Sequence, residues 1–212
     1  MALTEPFDLL PEFPGWVTKF ELRYRQEQSR TAGGRTIVKD MGSPLWQMAA
    51  QTKVLRPNDL DYWRARLAAL ENGLKTFWGY PVARTYPIAH PKGSWPTGGA
   101  FDGVSAELSS INANRKAIRI DDLPVGFKFS VGDFLSIAGD LHQVMEPATA
   151  AVGGLTPEFE VRPHLWPSRT AGAAVSVYRP ACLMAIVPGS VSADAGLNGW
   201  GSVAFQAIEG RL

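Results

Sequence analysis

Residues 131 to 145, Val-Gly-Asp-Phe-Leu-Ser-Ile-Ala-Gly-Asp-Leu-His-Gln-Val-Met, constrain the fold more than any other stretch. Val131-Gly132-Asp133 leads into a short apolar strand, Gly139-Asp140 turns the chain, and a second alternating strand returns. A Gly-Asp-type turn suits a tight hairpin because its central residues must take positive φ. Short strands of this kind recur from here on and predict a small barrel. The 21 Gly and 16 Pro among 212 residues break long helices and favour many short elements. With 45% hydrophobic and 19% charged residues, the chain has the balance of a folded protein of one domain or two small ones.

Residues 1 to 15 hold Pro6, Pro11, Pro14 and Gly15 among apolar anchors, and predict an extended arm. It lies either on a neighbouring chain or on its own domain. Phe20, Leu22 and Tyr24 alternate with charged residues, a period of two that marks a strand with one buried face. Residues 36 to 39 are extended, and 45 to 55 form a long strand with Trp46, Met48, Ala50, Thr52 and Val54 on one side. A helix over 58–72 follows, with Asn58 as its cap, Leu60, Trp63, Leu67 and Leu70 as its buried face, and Asn72-Gly73 as its stop. Residues 74 to 80 return to strand. Residues 81 to 116 read as a long connecting loop rich in Pro and Gly, with Trp95 and Phe101 as contact residues.

Strands are predicted over 117–120, 133–138, 140–147, 155–162 and 173–178, enough to close a small barrel within 117–180. Residues 181 to 187 form a core strand, 190 to 201 a polar turn region, and 203 to 208 a last strand. The fold class is therefore mainly β with one main α-helix. Residues 16–80 and 181–212 make a tube-like β-sandwich domain, and a small β-barrel domain is inserted between them.

No pattern of residues carries a reaction. His90, His142 and His164 lack metal-ligand spacing, and Cys182 is the only cysteine. It has no partner for an internal disulfide and reads as a buried thiol. Asp121, Asp122 and Asp133 could be imagined as paired carboxylates, but Asp at turns and strand boundaries is far commoner. Gly33-Gly34 and Gly98-Gly99 lack the Gly-Lys-Ser or Gly-Lys-Thr of a phosphate loop. No catalytic, metal or cofactor site is assigned. A formal net charge of +1 argues against broad nucleic-acid binding. The N-terminus does not read as a signal peptide, and no stretch reaches the roughly 18 apolar residues of a membrane helix.

Function then falls to surfaces. Lys19, Arg23 and Arg25 share one strand face and suit an intersubunit patch or a solvated outer face. The sequence has seven Trp, which are favoured at interfaces. Trp16, Trp46 and Trp63 fall in regular elements and are assigned to the core. Trp95, Trp166 and Trp200 fall in loops and are assigned to contacts.

The order of these pieces resembles the distal tail protein family of long-tailed bacteriophages and related minor tail proteins. The resemblance rests on Leu22-Arg-Tyr-Arg25 followed by Leu45-Trp-Gln-Met, and on Asp61-Tyr-Trp-Arg leading to Thr76-Phe-Trp. It continues through Val131-Gly-Asp-Phe with Leu141-His-Gln-Val, Val161-Arg-Pro-His-Leu with Gly172-Ala-Ala-Val, and Val203-Ala-Phe-Gln. It implies a structural virion protein made in the host cytoplasm. Such a protein forms a homo-hexameric ring at the distal end of the tail tube and joins tube protein to tip and hub proteins. It implies no enzyme, no cofactor, no specific nucleic acid and no membrane insertion. A carbohydrate-binding β module for host attachment is the alternative, and a hydrolase using loop carboxylates ranks below both.

Overall fold

The structure, a computed structural model, describes residues 4–96 and 100–210. Gly98-Gly99 and the first three residues of the predicted arm lie outside the described residues. The rest of the arm folds back on its own sheet. Phe7, Leu9 and Leu10 are buried. The Phe7 N–H donates to the Thr76 carbonyl at 3.0 Å, and the Trp78 N–H donates to the Phe7 carbonyl at 2.9 Å.

Strands β1 (Gly15–Arg23), β2 (Gln26–Arg30), β3 (Thr36–Asp40) and β4 (Leu45–Thr52) form one long hairpin, β1 pairing with β4 and β2 with β3. In β4, Trp46, Met48, Ala50 and Thr52 are buried, as their alternation predicts. Val54 and Tyr24 depart from the expected pattern and are exposed, because β4 ends at Thr52 and β1 at Arg23. Trp16 is corrected from core to surface, at 51% exposure. It sits on the outward face of a terminal strand, where no layer covers it.

Helix α1 (Pro57–Ala68) begins one residue earlier than predicted. Arg56, not Asn58, is its N-cap, and no side chain bonds the cap. Pro57 starts the helix well because its φ is preset and it has no N–H to leave unpaired. Leu60, Trp63 and Leu67 are buried on the sheet-facing side. The helix stops at Ala68, before Asn72 (φ 54°) and Gly73 (φ 97°) reverse the chain. A Cβ on Gly73 would collide with the Ile186 carbonyl oxygen, so the close approach also requires glycine. Strand β5 (Thr76–Gly79) follows.

The barrel region holds β6 (Ala106–Ile111), β7 (Ala117–Asp121), β8 (Lys128–Phe129), β9 (Phe134–Ile137), β10 (Asp140–Val144), β11 (Ala148–Thr149), β12 (Phe159–Arg162) and β13 (Ala174–Ser176). Six of them close in the order β10-β12-β7-β6-β13-β9, and β8 pairs with β11 alongside. The span predicted as connecting loop thus contains a barrel strand, β6. Without it the barrel would expose two edges, which closure removes. Ile137 pairs with Asp140, so the hairpin turn is Ala138-Gly139 rather than Gly139-Asp140. Both turn residues have positive φ, 47° and 88°.

The chain then returns to the first sheet through β14 (Cys182–Ile186), β15 (Ser192–Ala195) and β16 (Gly201–Glu209). The sheet order is β1-β4-β16-β14-β5, with β15 on β16. Strand β15 lies inside the region read as a polar turn. The inner face of the sheet carries Met48, Phe77, Met184 and Phe205, covered by α1, the arm and one side of the barrel.

Sheet and barrel are fastened at Trp46. Its indole Nε1–H donates to the Leu141 carbonyl at 2.7 Å, and its backbone N–H donates to Glu209 Oε2 at 3.1 Å. Its ring stacks on Phe20 at 5.3 Å and leans on Phe134 at 5.6 Å. Trp46→Phe keeps most of the packing but orphans a buried carbonyl. It should lower unfolding free energy by about 1–3 kcal/mol, read by urea denaturation.

Asp133 clips the 81–105 segment to the barrel. Its Oδ1 accepts from the Ile88 N–H at 2.7 Å and its Oδ2 from the Ser130 N–H at 2.7 Å. Burial pushes its carboxyl above the usual aspartate range, more than these hydrogen bonds and nearby Arg84 and His90 pull it down. The folded state therefore holds this proton more tightly than the unfolded one. The resulting stability is fully present below the ordinary aspartate value and is lost as pH rises through the raised one. Asp133→Asn should show no such slope in pH-dependent thermal melts, and Asp133→Ala, which strands two N–H groups, should cost about 1–3 kcal/mol at neutral pH.

Candidate assembly surface

The β2–β3 ribbon is the longest wholly exposed stretch among the described residues. Residues 23 to 42 are exposed without exception. Ile37, Val38, Met41 and Tyr24 are between 50% and 57% exposed, although all are large and apolar. A lone two-stranded ribbon is marginally stable in water and normally needs a surface to lie on. The base of this ribbon is fixed by the Met41 N–H, which donates to the Arg25 carbonyl at 2.7 Å. Asp40 acts on His164 of the barrel, but too weakly to reverse the lowering of its pKa by burial, Lys116 and Arg162.

The ribbon is also cationic. Arg23, Arg25, Arg30, Arg35 and Lys39 oppose Glu27 and Asp40, a net of +3. The whole chain carries +1, so everything outside residues 23 to 42 nets −2. Ribbon and body are thus of opposite sign, which favours contact between one copy's ribbon and another copy's body.

Strand β1 stands at the end of its sheet order, beside the ribbon. Lys19 and Arg23 project from its outward face, with Glu21 between them. Lys19 and Glu21 pair at 2.7 Å in an exposed bridge that contributes little. Arg25 does not share that strand, since it lies past its end in the ribbon base. The same outward face carries Trp16 on β1, Gln47 and Gln51 on β4, and Gln206 on β16. A basic, amide-bearing sheet face and a protruding ribbon are therefore continuous.

The loop aromatics divide. Phe101 is corrected from contact residue to core, since it is only 8% exposed within the barrel's hydrophobic cluster. Trp95 is half-buried and stacks on Phe127 at 5.7 Å, so it holds its own loop down. His90 does the same. Its Nδ1 lies 3.0 Å from the Ser94 carbonyl and its Nε2 accepts from the Lys128 N–H at 3.0 Å. Trp200 remains a surface group at 42% exposure, with the Arg56 guanidinium 6.0 Å from its ring. Trp166 is half-buried at the rim of a cleft between barrel and sheet. The ribbon aliphatics escaped the sequence reading, because exposed strands show no apolar alternation.

Asp121 ends β7 and Asp122 turns the chain. Asp122 has φ 60°, and its N–H donates to Asp121 Oδ1 at 2.9 Å. His142 is buried, with Nδ1 2.9 Å from the Pro163 carbonyl. Cys182 is buried too. Among the described residues no three His, Cys, Asp or Glu side chains gather as a metal site, and no helix is long and apolar enough to cross a membrane. No protein-family model and no curated protein sequence matches this chain.

Proposed function

We propose that this protein is a structural subunit of a bacteriophage tail. In this reading it forms a ring of like subunits at the distal end of the tail tube and joins the tube to the tip. The observation that carries the assembly part is the β2–β3 ribbon, whose residues 23 to 42 are all exposed, apolar side chains included. A contact from one subunit's ribbon to the next subunit's body is heterologous. Repeated under a rotation that closes, such contacts form a ring. The phage assignment itself rests on the resemblance in the order of sequence segments.

Arg25 and Met41 already pair at the ribbon base. Residues 26–40 can therefore be replaced by an Asn-Gly turn without disturbing β1 or β4. The wild type should sediment as a closed oligomer, with six subunits expected. The shortened variant should sediment as a monomer with an unchanged melting temperature. A wild type that stays monomeric across micromolar concentrations, alone and with tube and tip proteins added, would contradict the proposal.

A further inference from the structure

Two clefts of about 490 Å³ and 400 Å³ lie along the seam between barrel and sheet. Trp78 and Gly139 line both, so the clefts adjoin as one trench. One end holds Trp166 beside the Arg169–Asp140 pair, in which Nε–H donates to Oδ2 at 2.6 Å. The other holds Tyr80, with the Arg179 guanidinium 5.0 Å from its ring and 3.5 Å from Asp8.

The chemistry of this trench is specific in three respects. Aromatic side chains occur along its length, which suits a ligand with apolar faces. Each of the two arginines is matched by a carboxylate, and Glu209, a further carboxylate of the lining, is buried and accepts from the Trp46 N–H, so no unmatched cation is left to select an anionic ligand. A guanidinium has five N–H donors, and these contacts leave several unspent on each arginine. A ligand with apolar faces, hydroxyl edges and no net charge meets all three conditions. We infer that the trench binds a neutral oligosaccharide, with pyranose faces on the half-buried Trp78 and Trp166 and hydroxyls on the arginine–carboxylate pairs.

The loop that presents Trp166 is fixed in advance. The Arg115 guanidinium donates to the carbonyls of Leu165, Trp166 and Arg169 together. Such preorganisation reduces the ordering cost of binding. A peptide strand fits less well, because strand addition needs an open edge. The outer edge of β5 is taken by Phe7, and β9–β10 is closed into the barrel. This inference does not depend on whether the protein forms a ring.

The test is calorimetric titration of the full chain with hexaoses of β-1,4-linked glucose, β-1,4-linked N-acetylglucosamine and α-1,4-linked glucose, each to about 10 mM. At least one should bind, with little change between low and high salt. Trp166→Ala and Arg169→Ala should each weaken it about tenfold or more, whereas Trp16→Ala, on β1 at the opposite edge of the sheet, should not. Melting temperatures show whether either trench variant is misfolded; if one is, the other decides. Absence of binding by all three sugars overturns the inference. So does binding that survives both trench substitutions, or a strict preference for a sulfated oligosaccharide that salt abolishes.

Discussion

The Trp46 indole is the contact on which the architecture depends. One side chain stacks on Phe20 of its own sheet, leans on Phe134 of the barrel and donates to the Leu141 carbonyl. Its backbone N–H meanwhile engages Glu209 near the end of the chain. Residues nearly the whole sequence apart are thereby held in one place. Buried hydrogen bonds of this kind gain little when made but cost heavily when broken. They therefore fix the barrel in a single pose against the sheet.

That fixed pose has a consequence for the surface. The barrel closes its own strands, the arm covers β5, and α1 covers the inner sheet face. The longest wholly exposed run among the described residues is the β2–β3 ribbon, beside the terminal strand β1. The ribbon's cationic balance against an anionic body would add direction to a contact between copies. An assembly role is the reading most consistent with this distribution.

Much of the core was legible in the sequence, because burial of one face imposes period two on a strand and a helical spacing on α1. Trp46, Met48 and Ala50 show the first, and Leu60, Trp63 and Leu67 the second. Legibility failed wherever neither face, or both, met the same environment. Gln26–Arg30 is exposed throughout and leaves no pattern. Ala106–Ile111 is a barrel strand with a polar, weakly alternating sequence, preceded by a Pro- and Gly-rich segment that masks it. Phe101 lies in that segment, where composition suggests exposure while the fold buries it. The hairpin turn was misplaced by one residue because Asp140 tolerates positive φ as a type, whereas Ala138, which adopts it, does not advertise it. Trp16 and Trp46 differ only in which side of a sheet they face, and that depends on what covers it.

The most direct measurement is amide hydrogen exchange of the ribbon strands Gln26–Arg30 and Thr36–Asp40, followed from dilute to concentrated protein. If other copies occupy this ribbon, its amides exchange quickly in the monomer and slow by about tenfold or more in the assembled form, while barrel amides are unchanged. Ribbon amides that exchange at the same rate in monomer and assembly would contradict the account.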